Sequence, residues 1–266
     1  MTAAAAPRRY DGQMVLAVFA HPDDESLACG GTLARLADAG AQVVVMCATC
    51  GERGSHDGVH HNQALGHQRA SELQIAAEAL GLSEVVLLNH QDGYLPWRHV
   101  TDFTAEIVLF LRKRRPEAII TFDQDGLYWH PDHIAVHERV VTAARSLGPD
   151  APPVYVVTMV RGAMTEIVGA ATARGWAAPS GGFWSLHPDA FGKFATPYTL
   201  EVDVSPWLPR KLSAIRAHES QMGVAHPLSD LSEPEAVRWL GKEFFRRLDL
   251  PSRGTTVIED ICTRNC

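Results

Sequence analysis

Short apolar runs alternate with amphipathic stretches through the first half of the chain, and the two periods separate cleanly. Met14 to Ala20, Gln42 to Cys47, Glu84 to Leu88 and Ala118 to Phe122 are apolar runs rich in β-branched residues and read as strands. Between them, Leu27 to Ala39 ends at Gly40, Ser71 to Leu80 ends at Gly81, and Val100 to Arg114 stops short of Pro116. Each reads as a helix closed by a residue that favours leaving it. Strands alternating with helices imply βαβ units. With right-handed crossovers these give an α/β fold, a Rossmann-like three-layer sandwich around a mostly parallel sheet.

Beyond Pro149 the regularity weakens. Pro152, Pro153, Pro179, Gly181, Gly182, Pro188 and Pro197 punctuate short strand-like pieces such as Val154 to Val160, so an irregular, β-containing C-terminal half is expected. Helices over Leu208 to Gln221 and Glu233 to Leu248 are expected to close the chain. No internal repeat divides it, and residues 1–266 read as one domain. Trp176, Phe183, Trp184 and Phe191 follow no spacing rule and read as core packing, with an aglycone pocket as their other reading.

Composition narrows the class. With 46% hydrophobic and 21% charged residues the chain is ordinary for a globular protein, so pattern rather than composition specifies the fold. A net charge of −7 repels phosphate polymers and excludes a broad nucleic-acid face. The run from Met14 to Ala20 is too short for a secretory core or a membrane span, which implies a cytoplasmic protein with no integral membrane segment. Five cysteines, an odd number, fit a reducing compartment. Cys47 and Cys50 form one C-x-x-C, but Cys262 and Cys266 make a poor second pair, so these read as structural thiols.

In open parallel sheets ligands bind outside the carboxyl ends of the strands, so the residues following each strand matter most. The first strand runs straight into Ala20-His21-Pro22-Asp23-Asp24-Glu25. No G-x-G-x-x-G follows it, and Gly30-Gly31 comes too late for a dinucleotide-binding turn. So much negative charge beside one imidazole calls for a cation, although the string alone is equally an acidic first turn at a helix N-terminus. After Ala118 to Phe122, the loop from Asp123 leads through Tyr128 and Trp129 into His130-Pro131-Asp132-His133, with Pro131 suited to a first helical turn. Two such motifs after strands of one sheet can face the same crevice.

Two imidazoles and one carboxylate with a fourth position open form a catalytic zinc arrangement. Such an ion lowers the pKa of its water from about 15.7 to about 7. A spare carboxylate beside that water can act as general base, and Asp23 suits the role if Asp24 is a ligand.

The Ala-His-Pro-Asp-Asp-Glu string, taken with His-Pro-Asp-His, resembles the LmbE-like (PIG-L) family of zinc-dependent de-N-acetylases. The resemblance runs from Met14 to Gln221 and takes in Thr49 to Glu52, Arg69 with Glu72, Asp92-Gly93, and Lys211 to Gln221. It implies a hydrolase that removes an N-acetyl group from a small-molecule amino-sugar conjugate of the N-acetylglucosamine type. It implies that His21, Asp24 and His133 hold Zn2+, or another divalent transition metal, and that Asp23 activates water. By the same resemblance His130 stabilises the oxyanion, Asp132 orients or tunes it, and Tyr128 assists. Arg69 and Asp92 would contact substrate hydroxyls or the aglycone, and His218 would be a further substrate contact. Family members are commonly multimeric, which implies a homo-oligomer.

There are departures and alternatives. Trp129 stands where relatives often carry a small residue, and would narrow the pocket or stack on a sugar face. Glu25 is placed to orient the His21 turn. The stretch Gly51 to Gln63, dense in Arg53, His56, His60 and His61, reads as a solvated loop. A serine hydrolase lacks its G-x-S-x-G, and His218-Glu219 lacks the second histidine of H-E-x-x-H. Two other readings stay open: an amidase cleaving a larger acyl-amide such as a thiol conjugate, and a non-catalytic metal-dependent sugar-binding protein. Asp23 and His130 argue against the latter, since ligation alone needs neither.

Overall fold

Met14–Phe19 (β1) is buried at every position, as a strand covered on both faces must be. The chain continues through α1 (Asp24–Asp38), β2 (Gln42–Thr49), α2 (Gln63–Leu80), β3 (Glu84–His90), α3 (Val100–Arg114) and β4 (Ala118–Phe122). A short irregular turn, α4 (Gly126–Trp129), leads into α5 (Pro131–Leu147), β5 (Val154–Thr158) and α6 (Ala163–Ala173). Then follow β6 (Leu200–Asp203), α7 (Leu208–Ala217), α8 (Glu219–Met222), α9 (Glu233–Leu240), β7 (Lys242–Arg247) and β8 (Arg264–Asn265). This computed structural model describes residues 9–54, 63–97, 100–178, 183–222, 227–228, 231–254, 256–262 and 264–265. His56, His60 and His61 of the expected solvated loop, with Pro179, Gly181, Gly182 and Cys266, lie outside the described residues.

The strands form one sheet in the order β3-β2-β1-β4-β5-β7-β6-β8. β1 to β5 pair in parallel, and β7, β6 and β8 extend the sheet antiparallel. The chain lays down β1, β2 and β3 in one direction, then crosses back to place β4 on the other side of β1. Right-handed crossovers therefore put α1 and α2 on one face and α3 and α5 on the other. α7 packs on α1 and α2, and α3 packs on α5, which completes the three layers expected. The reversal between β1 and β4 is a topological switch point, where the sheet opens a crevice at its strand ends.

The last third departs from expectation in one respect. Glu233 to Leu248 is not one helix: α9 ends at Leu240, and after Gly241 the chain becomes β7, paired with β5 and β6. Trp239, Leu240, Phe244 and Phe245 suit a helical stripe as well as a strand, and long-range pairing that buries Phe245 decides between them. Gly241 carries the same stop signal as Gly40 and Gly81. The helix expected over Leu208 to Gln221 likewise breaks at His218 into α7 and α8.

Cys47 and Cys50 are free thiols, as are Cys29 and Cys262. Among the described residues no helix is long and apolar enough to cross a membrane. α1 is kinked at Cys29, which leaves helical geometry with φ −151° and ψ 22°. Just beyond the kink Gly31 lets the helix close on Val204, where a Cβ on Gly31 would stand 2.5 Å from Val204 Cβ. Gly31→Ala is expected to cost about 1–3 kcal/mol of stability. The check is a lower urea midpoint at unchanged m-value; an unchanged midpoint would mean that the segment after β6 yields.

Candidate active site

Between β1 and α1 the chain turns sharply at His21-Pro22-Asp23. Asp23 takes φ +122°, a conformation that disfavours side chains and costs on the order of 1–3 kcal/mol. Local contacts hold it there. Its N–H donates to Glu25 Oε2 at 3.2 Å. Arg69 clamps the turn from α2: Nη2 donates to the Pro22 carbonyl at 2.6 Å and lies 3.2 Å from Asp23 Oδ2, while Nη1 donates to the Gly51 carbonyl at 2.8 Å. The turn brings the Asp24 carboxylate back over His21, whose N–H donates to Asp24 Oδ2 at 2.7 Å.

Across the switch point, β4 delivers the second motif. The Asp125 side chain accepts from the Leu127 N–H at 3.1 Å, and Gly126, at φ +56°, aims its carbonyl at His133 Nδ1, 3.1 Å away. His130 caps α5, its Nδ1 accepting from the Asp132 N–H at 3.2 Å. Phe122 lies flat against His133 with ring centroids 3.9 Å apart. As a result His21 Nδ1 is 3.4 Å from Asp24 Oδ2 and 3.3 Å from His133 Nε2, and His133 Nε2 is 3.2 Å from Asp24 Oδ1.

These separations suit a metal. Donors about 2.0–2.2 Å from a tetrahedral ion stand roughly 3.3–3.6 Å from one another. The tautomers agree with that reading. His133 commits Nδ1–H to the Gly126 carbonyl, which leaves the Nε2 lone pair facing inward. His21 commits Nε2–H to Asp92 Oδ1 at 3.1 Å and Asp132 Oδ2 at 3.3 Å, which leaves Nδ1 inward. His130 lies near both rings, and nitrogens of His21, His130 and His133 fall within 4.8 Å of one another. His130, however, spends Nδ1 on the helix cap.

A model of the family described as PIG-L: GlcNAc-PI de-N-acetylase matches residues 16–144. The 1D-myo-inositol 2-acetamido-2-deoxy-alpha-D-glucopyranoside deacetylase of Thermobispora bispora is 33% identical to this chain over 265 residues, covering 87% of the chain and 86% of the relative. The chain belongs to the PIG-L family. Solved structures share the fold: N,N'-diacetylchitobiose deacetylase from Pyrococcus horikoshii has a TM-score of 0.63 at 23% identity, over 89% of this chain and 84% of that one. A 4-carboxy-2-hydroxymuconate hydratase from Pseudomonas putida is nearly as similar, with a TM-score of 0.62 at 20% identity over 89% and 96%. The fold thus hosts more than one chemistry, and the site residues must carry the distinction.

Electrostatics sorts the ionisable groups of this PIG-L site. Burial would raise Asp24, but the imidazoles of His133 and His21 hold it well below the usual carboxylate range. Against the same burial, the hydrogen bond and charge of His21 and the N–H of Arg53 keep Asp92 at about 2. Asp23 goes the other way: burial, with Asp24 adding to it, lifts its carboxyl to about 6 despite Arg69. Burial together with His133 and His21 pushes His130 down to about 4, so it is a neutral imidazole with its proton on Nε2. Burial opposes charge on His21, yet the hydrogen bonds its ring donates to the carboxylates of Asp132, Asp24 and Asp92 raise it well above the ordinary value. Burial raises Tyr128 well above the usual phenol, so it stays a hydroxyl, its ring edge-on to His130 and His133.

The fold brings His21, Asp23, Asp24, Tyr128, His130 and His133 to one crevice, and distributes the other expected residues differently. Asp132 meets both histidines: its N–H donates to His130 Nδ1, while its carboxylate takes the His21 Nε2, the Gly93 N–H at 2.7 Å and the Leu95 N–H at 3.1 Å. Arg69 and Asp92, 3% and 5% exposed, are engaged inside the protein, Arg69 with the Pro22 and Gly51 carbonyls and Asp92 with His21 and the Arg53 N–H. His218, 1% exposed, lies behind the site with Nε2 3.0 Å from Glu25 Oε1, an oxygen that also accepts the Ser26 hydroxyl at 2.5 Å. Trp129 is open to solvent beside Phe194, their ring centroids 6.0 Å apart. Two ties had no local signal. Glu72 accepts the Ser220 N–H and hydroxyl at 2.9 and 2.7 Å, joining α2 to α8, and Lys211 pairs with Glu243 at 2.6 Å.

Proposed function

We propose that this protein is a metal-dependent hydrolase that removes the N-acetyl group from a 2-acetamido-sugar conjugate, releasing acetate and a free amine. What carries the reading is the convergence of three inward-facing donors, His21 Nδ1, His133 Nε2 and the Asp24 carboxylate, beside the Arg69-paired carboxylate of Asp23. The similarity to a deacetylase that acts on a 2-acetamido-2-deoxyglucopyranoside supports the choice of bond and sugar. Bound to those donors, a divalent ion, zinc by the donor chemistry, would polarise the amide carbonyl and acidify water.

The chain's own groups then divide the work. Asp23, held by Arg69 and protonating near neutrality, takes a proton from the attacking water and returns it to the leaving amine. His130, neutral with its proton on Nε2, donates a hydrogen bond to the oxyanion of the tetrahedral intermediate, and the Tyr128 hydroxyl is a second donor there. Asp92 and Asp132 orient His21, while Trp129 at the rim offers a ring face to the sugar. Buried thiols at Cys29 and Cys47 suit a reducing compartment, which supports a cytoplasmic site of action.

The test is metal analysis paired with free-amine release from N-acetylglucosamine conjugates, with and without a chelator. Wild-type protein is expected to hold about one equivalent of metal per chain and to lose amine release on chelation. His21→Ala and His133→Ala are each expected to lose metal and turnover together. Full metal content in either variant would remove that histidine from the donor set, and wild-type protein that releases no amine from any conjugate would sink the reading.

A further inference from the structure

Asp24 and Tyr128, both already placed in the site, also line a cavity of about 140 Å3. Its wall is largely apolar: Leu27 from the first turn of α1, Tyr128 from α4, Met164 and Ile167 from α6, with Phe191 and Trp239 closing it. Lys211 and Glu243 also reach the lining, but they are buried and pair with each other at 2.6 Å. The cavity therefore shares Asp24 and Tyr128 with the site described above, and apart from Thr158, Lys242 and the Lys211–Glu243 pair it presents hydrocarbon and aromatic surface.

A scissile amide carbonyl set against the donor cluster has two substituents, the nitrogen that carries the sugar and the acyl chain. Two spaces adjoin it. One is the open mouth, where Asp23 is partly exposed and Trp129 and Phe194 present their rings to solvent. The other is the cavity. A sugar ring pushed into the cavity would strip its hydroxyls of water without replacing those hydrogen bonds, which is unfavourable for each hydroxyl left unpaired. The mouth, wet and aromatic, suits the sugar. The acyl group is then left facing the cavity, and a lone acetyl methyl would leave most of that apolar space unfilled.

Resting on the hydrolase reading above, we infer that this cavity is an acyl-chain pocket and that the enzyme accepts N-acyl amino sugars whose acyl group is longer than acetyl, aliphatic or aryl. The reaction is the same hydrolysis: water adds across the amide C–N bond, the acyl carbon leaves as a carboxylate and the sugar nitrogen as an amine. Each methylene buried in the pocket raises kcat/KM about fourfold, the factor that corresponds to burying one CH2, until the cavity is full.

The experiment is amine release from two series on one sugar, one with the acyl group lengthened from acetyl to octanoyl, the other with the acetyl kept and an O-alkyl aglycone lengthened instead. The inference requires kcat/KM to climb with acyl length and to stay nearly flat with aglycone length. It also requires Ala163→Phe, which projects a ring from the cavity wall, to lower the octanoyl-to-acetyl ratio of kcat/KM at least tenfold. Because that variant can misfold, tryptophan fluorescence supplies a second readout. Trp184 and Trp239 line the cavity, so N-octanoylglucosamine should change the emission of catalytically silent Asp23→Asn protein where N-acetylglucosamine does not. Acetyl cleavage that is flat or falling with acyl length overturns the acyl pocket and leaves the hydrolase reading intact. A climb in the aglycone series alone overturns it in favour of an aglycone site. No amine release from any member of either series overturns both.

Discussion

Asp23→Asn is expected to lower kcat by about a hundredfold to ten-thousandfold, the range for loss of a general base, while metal content stays at the wild-type level. The choice of asparagine matters. Asp23 sits at φ +122°, and asparagine, with the same side-chain shape as aspartate, adds no steric load to that strained turn, so the turn that places Asp24 and His21 should survive. An asparagine oxygen can still accept from Arg69, 3.2 Å away in the wild type, so the clamp on the turn persists as well. What disappears is a basic oxygen whose proton affinity lies near neutrality, where burial has lifted it to about 6. Steady-state kinetics together with metal analysis separate the alternatives. If kcat is retained, the base is another group; if metal is lost along with kcat, Asp23 supports the donor set instead of the proton transfer.

The parts of the site that were legible in the sequence are those that follow buried parallel strands. β1 and β4 are continuous apolar runs because both of their faces are covered, and the chemistry begins at the next residues, so His21 to Asp24 and His130 to His133 announce themselves locally. The metal-facing trio needs only those two segments and one switch point. Those residues' neighbours were named in the sequence, but what each one pairs with was not legible, because the partner is brought in from far along the chain by packing. Arg69 reaches Pro22 from α2, the Asp132 carboxylate reaches back to His21, and His218 reaches Glu25 only because α7 and α8 fold over α1. A charged residue at helical spacing carries no mark of whether it will face solvent or a turn. The same ambiguity misplaced β7, whose aromatic pair is compatible with either period until β5 and β6 are present to pair with it.

That strand also carries the change expected to be most damaging to stability. Glu243, buried in β7, accepts the Gly31 and Thr32 N–H groups at 2.9 and 2.7 Å, just past the kink at Cys29 where α1 restarts, and pairs with the buried ammonium of Lys211. It is an N-terminal cap supplied by another strand, favoured by the helix dipole as well as by the hydrogen bonds. Glu243→Ala leaves the Lys211 charge unpaired in the core and two backbone donors unmet, and is expected to cost about 3–5 kcal/mol, a large part of the stability of a typical domain. Glu243→Gln with Lys211→Met removes both charges and keeps an acceptor for the helix, so it should recover most of that loss. Urea midpoints of the single and double variants decide the matter: a double variant as unstable as Glu243→Ala, although it strands no charge and keeps an acceptor at the restart of α1, would overturn the assignment of the cost to the unpaired Lys211. The short first segment of α1, which carries Asp24, lies on the far side of that kink. Asp24 itself is held by His21 and His133, so metal content is expected to persist in Glu243→Ala protein that is still folded.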